Sequence, residues 1–306
     1  MNYSPVALFV YNRPGHTSKT VEALKKNIGS AESELYVFSD AARDSKDNDA
    51  VSEVRSYIQT IDGFKKVTIL NRESNFGLAN SIIEGVSQLC NNYGKVIVLE
   101  DDLVTSPYFL TYMNSALKRY QDDSKVMSIS AFGRNGIREG LYENELYDAY
   151  FVQRNSSWGW GTWKDSWLLA DWNVSDYEDF IVDKEKRKRF SAVGEDLCLM
   201  LDLQQHGFLD SWSIRWTYAH YLNEGVSLVP YNSYVKNIGF DGSGTHCRSS
   251  DRFEYELTEA KKNPFFPPSV YIRKDTLAAF YAAHKQRLIS RIYWKIKLLG
   301  RRLGLL

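Results

Sequence analysis

Several things are scarce in this chain of 306 residues. Net charge is absent: 38 basic and 38 acidic side chains cancel, so no overall field points to nucleic acid, and any electrostatic steering must come from local asymmetry. Cysteine is rare. Cys90, Cys198 and Cys247 are an odd number at wide, unpatterned spacings, which suits neither a disulfide framework nor a zinc site and points to a reducing compartment. Nowhere do about 18 apolar residues stand together, and the N-terminal "MNYSPVALFVYNRP" has neither a basic region before its apolar run nor a small-residue cleavage site. Neither secretion nor a membrane span is expected. No glycine-rich dinucleotide fingerprint and no phosphate-cradling loop before a lysine occurs, which counts against a nicotinamide enzyme or a nucleotide triphosphatase.

What is there is enough apolar sequence, 43%, to bury a sizeable core as one large domain or two joined lobes. "PVALFVY" (5–11) and "ELYVFSD" (34–40) are strand candidates separated by "HTSKTVEALKKNI" (16–28), in which Val21, Leu24 and Ile28 recur at helical spacing. The order repeats with "KVTILNR" (66–72), the helical "LANSIIEGVSQLC" (78–90) and "KVIVLEDD" (95–102). This β-α-β alternation predicts an α/β fold with a mostly parallel sheet flanked by helices. In such sheets the ligand lies beyond the carboxyl ends of the strands, and four strands end there in polar residues: "YNR", "SD", "NRESN" and "EDD".

The last of these groups raises a chemical question, because Glu100, Asp101 and Asp102 are consecutive at the end of an apolar run. Adjacent carboxylates repel unless a cation sits among them, and hard oxygen ligands suit Mg²⁺ or Mn²⁺. The structural alternative is that they cap the next helix, "SPYFLTYMNSALKRY" (106–120), whose start favours anions.

The segment "VLEDDLVTSPYFLTYMNSAL" resembles the acidic metal motif of GT-A glycosyltransferases, in the Glu-Asp-Asp form of the N-acetylglucosaminyltransferase that initiates complex N-glycans and of bacterial relatives in surface-polysaccharide synthesis. The resemblance is good to about residue 132. It implies a GT-A type fold and a metal-dependent enzyme, with Mn²⁺ or Mg²⁺ on Asp102, and Glu100 and Asp101 facing a UDP-sugar. It also implies Arg13, Asp40 and Asn75 as nucleotide contacts and inversion at the anomeric carbon.

The second half has a different texture. "SSWGWGTWKDSW" (156–167) sets Trp158, Trp160, Trp163 and Trp167 among glycines, either as an aromatic core cluster or as flat faces for a sugar. The resemblance implies the sugar role, with Trp160 in the donor pocket. A catalytic base is needed to take a proton from the attacking hydroxyl. Asp196 in "GEDLCLML" resembles the Glu-Asp motif of many GT-A enzymes, while Asp210 in "FLDSWSIRW" resembles the Trp-flanked acid of the closer relatives and is preferred. His246, after the glycine-rich "NIGFDGSGT", is a candidate second metal ligand or a surface histidine.

The C-terminal "HKQRLISRIYWKIKLLGRRLGLL" (284–306) carries seven Lys and Arg and no acid, with Leu288, Ile292, Ile296 and Leu299 at helical spacing. That composition predicts either an amphipathic helix lying on an anionic membrane surface or a docked helix with a basic face. The expected organisation is a nucleotide-sugar half at 1–132, a donor-sugar and acceptor half at 133–270, and this tail from 271. The expected function is transfer of a sugar, N-acetylglucosamine, to a glycan or lipid-linked oligosaccharide at the inner face of the membrane. A sugar nucleotidyltransferase using the same acids, or a non-catalytic sugar-binding module, are the alternatives.

Overall fold

The computed structural model describes residues 3–133, 146–242, 257, 260–284 and 288–302. The strands are β1 (Val6–Val10), β2 (Glu34–Ser39), β3 (Lys66–Asn71), β4 (Lys95–Glu100), β5 (Leu103–Thr105), β6 (Val126–Ser130), β7 (Ala149–Val152), β8 (Trp160–Trp163), β9 (Val226–Pro230) and β10 (Val235–Asn237). The helices are α1 (Pro14–Lys25), α2 (Asn48–Ile58), α3 (Leu78–Tyr93), α4 (Phe109–Arg119), α5 (Lys164–Trp167), α6 (Tyr177–Val182), α7 (Lys184–Phe190), α8 (Leu197–Gln205), α9 (Trp212–Leu222), α10 (Lys274–Ala283) and α11 (Leu288–Arg302).

Eight strands form one sheet in the order β3-β2-β1-β4-β8-β6-β9-β7, in which β8 and β7 run against the others. Helices cover both faces, so the central strands are buried on both sides and read as unbroken apolar runs: every residue of "VALFV" in β1 is buried. One core layer joins β1, β2 and β4 to Leu24 of α1, Val54 of α2 and Tyr112 of α4. The other packs Phe9, Phe38 and Trp160 against Val86 of α3 and Trp216 of α9.

Local chemistry marks the helix ends near the sheet's carboxyl edge. Pro14 opens α1, where its missing N–H costs nothing. Ser211 caps α9, its hydroxyl accepting from Ile214 N at 3.3 Å. The helix expected over 106–120 starts at Phe109; ahead of it the chain forms β5, paired antiparallel with β10.

Candidate active site

β4 ends at Glu100, so Asp101 and Asp102 stand in the turn leading to β5. That turn is fixed through its backbone: Thr20 Oγ1 of α1 donates to the Asp101 carbonyl at 2.8 Å, and Ile238 N, just past β10, donates to the Asp102 carbonyl at 2.9 Å. The acids do not cap α4, which has no acid in its first turn and no side-chain cap.

Arg13, the residue before α1, supplies the cation that the acids call for. One Nη bonds Asp101 Oδ1 and, at 2.9 Å, Asp102 Oδ2, with the Arg13 side chain only 18% exposed. Burial works against the Arg13 charge, but Asp101 and then Asp102 outweigh it and raise its pKa. One cation among three acids leaves negative charge uncompensated. Burial pushes the Asp101 carboxyl up to about 6 against the pull of Arg13, and burial, then Asp102 and Asp101, hold Glu100 well above the ordinary carboxylate range.

The chain also comes very close here. A Cβ at Gly239 would lie 2.3 Å from Asp102 Oδ2 and 3.0 Å from an Nη of Arg13, so a side chain there would have to displace the Asp102 carboxylate. Hard oxygens, excess negative charge and a close backbone suit a divalent cation on Asp102. Among the described residues no group of three His, Cys, Asp or Glu side chains converges on one point, so any such ion would take much of its shell from water and substrate oxygens.

Asp40, one residue past β2, is buried and accepts three backbone N–H bonds, from Ala41 (2.9 Å), Phe76 (2.9 Å) and Gly77 (3.0 Å). Asn75 Nδ2 donates to the Ala41 carbonyl at 2.7 Å. Both residues expected to touch nucleotide thus shape the loop from 73 to 77, leaving Asp40 lone pairs for one further donor. Gly77 sits at φ +72, where a side chain would be strained, and a Cβ there would lie 3.9 Å from Asp210 Oδ2. Asp210 therefore stands at the same sheet edge as Asp40. Its carboxylate is 61% exposed, and its contact is with Arg215 at 3.4 Å. Arg215 is itself anchored by the Ser211 and Trp172 carbonyls, each at 3.1 Å.

Asp196 has a different setting. Arg154 grips both of its oxygens, at 2.8 and 2.7 Å, and its pKa is lowered: burial opposes the charge, and the Arg154 hydrogen bonds overcome that. A buried, doubly bonded carboxylate is a poor proton acceptor. The pairing ties the segment after β7 to the start of α8.

Trp160 is a correction to the sequence reading. Its ring is 1% exposed, stacked on Trp212 at 4.8 Å and close to Trp167 at 5.6 Å, so it offers no face to a sugar. Trp158, by contrast, is half-buried between Phe132 (4.4 Å) and Phe240 (5.5 Å), and Phe240 follows Gly239, which packs against Asp102. His246 lies outside the described residues. Sequence reasoning did not single out Arg154, Arg215 or Gly239. Their partners are distant in sequence or backbone in kind, and no local pattern marks them.

A mostly parallel sheet with acids at its carboxyl edge, interleaved by one antiparallel strand and clasped by β5–β10, is a GT-A glycosyltransferase fold. Residues 1–211 match the model of the GNT-I family, and the chain belongs to that family. A curated relative, alpha-1,3-mannosyl-glycoprotein 2-beta-N-acetylglucosaminyltransferase of Arabidopsis thaliana, is 24% identical over 165 residues, 52% of this chain. The chain spans about a third (35%) of that relative's length. Among solved structures, Staphylococcus aureus TarS 1–349 aligns with a TM-score of 0.41 at 16% identity over 77% of this chain and 60% of its own. The mannosyltransferase PcManGT of Pyrobaculum calidifontis, solved with GDP-Man and Mn²⁺, aligns with a TM-score of 0.38 at 15% identity over 53% and 46%.

Proposed function

We propose that this protein is a metal-dependent glycosyltransferase that moves a sugar, N-acetylglucosamine, from a UDP donor to a glycan hydroxyl with inversion. The observation that carries the reading is the Glu100–Asp101–Asp102 turn at the carboxyl edge of the sheet, only partly offset by a single guanidinium. Membership of the GNT-I family supports it, and the Arabidopsis relative's name supports the choice of sugar.

In this reading Asp102 holds a divalent cation, Mn²⁺ or Mg²⁺, with His246 as a candidate second ligand. An ion held there would supply positive charge to stabilise the leaving diphosphate. Arg13, next to the acids, contacts the donor phosphates. Asp40 accepts one donor group from the base and Asn75 keeps that loop in place, while Glu100 and Asp101 face the ribose or the sugar. Trp158, rather than Trp160, borders the transferred sugar. Asp210 takes the proton from the acceptor hydroxyl as its oxygen attacks the anomeric carbon and the bond to UDP breaks. Its exposure and its place beside the Asp40 loop favour it over Asp196. The division into a nucleotide-sugar half (1–132), an acceptor half (133–270) and a tail follows the same reading. The acceptor is a lipid-linked oligosaccharide in surface-polysaccharide synthesis, met from the cytoplasmic side with the enzyme peripheral on the inner leaflet.

Asp102→Asn removes a hard anionic ligand with little change of shape. Calorimetric titration with UDP should show binding strengthened by Mn²⁺ in the natural chain and indifferent to Mn²⁺ in the variant, which should still unfold cooperatively. Equal metal-supported affinity in both would remove Asp102 from the site.

A further inference from the structure

α11 has two apolar faces. One is docked: Leu298, 7% exposed, packs with Leu199 and Leu203 of α8, and Trp294, Phe208 and Leu209 join them. The Phe208 and Trp294 rings lie 6.3 Å apart, and the Arg301 guanidinium covers Phe208 at 5.5 Å. Phe208 and Leu209 are the two residues before Asp210, so α11 braces the loop that carries the candidate base.

The other face is open. Ile292, Ile296 and Leu299 are 49%, 64% and 57% exposed. At roughly 100° per residue they share a sector about 60° wide, turned away from Trp294 and Leu298. Tyr293, 52% exposed, stands beside them with Lys297 Nζ at 5.9 Å from its ring centre.

Charge decides what fits this stripe. Residues 284–306 hold seven Lys and Arg and no acid; because the whole chain is neutral, the remainder carries a matching excess of acid. A second copy meeting this face across a two-fold axis would bring like charges together. An anionic lipid surface complements them, and an apolar stripe with an aromatic ring and cations is what an interfacial helix presents to headgroups. Among the described residues no helix is long and apolar enough to cross a membrane.

We propose that the open stripe of α11, Ile292, Ile296 and Leu299, is a docking surface for an anionic phospholipid bilayer, and that α11, braced on Phe208–Leu209, thereby holds the Asp210 loop beside an acceptor carried in that bilayer. The second half rests on the assignment of Asp210 above; the docking surface does not.

The test is flotation of the full chain with vesicles of equimolar phosphatidylglycerol and phosphatidylcholine, against phosphatidylcholine alone. The natural chain should float with the anionic vesicles, less with neutral ones and less at high salt. The triple variant Ile292→Ser/Ile296→Ser/Leu299→Ser should lose partitioning by a factor on the order of 100 or more while keeping its unfolding midpoint and its UDP affinity. Should the triple variant fail to fold, Ile296→Ser alone, at the most exposed of the three, carries the same comparison with a smaller loss. Flotation of the variant equal to that of the natural chain overturns the docking surface, as does a natural chain that stays unbound or that self-associates through this stripe. Any of these with UDP binding intact leaves the transferase reading standing. Transfer to a lipid-linked acceptor in vesicles should fall in the variant, with transfer to a short soluble acceptor unchanged; equal losses on both acceptors would overturn the coupling to Asp210.

Discussion

Arg13→Met separates the charge on the guanidinium from the rest of its side chain, and the structure sets the size of the effect. Arg13 bonds Asp101 and Asp102, whose side chains are 6% and 11% exposed, in a turn that already carries Glu100. Removing one partner of a buried charge pair costs about 3–5 kcal/mol, because the stranded carboxylates remain out of water. Allowing for the partial exposure of Arg13, a loss of about 3 kcal/mol is expected at pH 7, out of a total stability on the order of 5–15 kcal/mol. Urea unfolding followed by fluorescence, with and without Mn²⁺, measures it. A divalent cation on Asp102 replaces the missing charge, so Mn²⁺ at about 100 times its dissociation constant should return close to 2.7 kcal/mol to the variant. It should return less to the natural chain, where Arg13 already competes for the same oxygens. Arg13→Lys, with one ammonium in place of the fork, should fall between them. A variant that loses under about 1 kcal/mol and gains nothing from Mn²⁺ would refute both the counter-ion role of Arg13 and the cation site beside it.

Asp210→Asn should lower turnover by a factor on the order of 10² or more with UDP affinity preserved, whereas Asp196→Asn should act on stability, by stranding the largely buried Arg154; the reverse pattern in steady-state kinetics and thermal unfolding would exchange their roles. His220 is fully buried, with Nδ1 on the Trp216 carbonyl at 2.8 Å and Nε2 3.0 Å from Ser128 Oγ, and burial pushes its pKa down to about 4 although that carbonyl pulls the other way. The unfolded chain takes up this proton near pH 6.5, so the contribution is complete above that pH and is lost as pH falls towards 4, roughly 3 kcal/mol in all. Urea midpoints between pH 7 and 4 should fall more steeply for the natural chain than for His220→Gln, and identical slopes would contradict it.

The first half of the fold was legible because β1, β2 and β4 are buried on both faces, and apolar runs of that kind alternate with amphipathic helices in plain view. The acids at the end of β4 stood out for the same reason, since three consecutive carboxylates break an otherwise apolar core strand. Their cation was not: Arg13 is 88 positions from Asp101, and such a pairing leaves no local trace. The β5–β10 clasp escaped because each strand is three residues long, too short to show a period. Trp160 was misread because a tryptophan's flat face does not say which side of the sheet it occupies; β8 alternates, sending Trp160 to one core layer and Trp163 to the other. In the tail, the stripe of Ile292, Ile296 and Leu299 could be read from spacing. That Leu298 and Trp294 dock the opposite face could not, since it depends on where α8 lies.

Metal-dependent sugar transfer is measured by incubating the chain with a panel of nucleotide sugars, with and without Mn²⁺, and following the nucleotide released. UDP should be released from UDP-N-acetylglucosamine, dependent on Mn²⁺ and abolished by Asp102→Asn. Release of pyrophosphate, or sugar binding without turnover and indifferent to both metal and UDP, would contradict it.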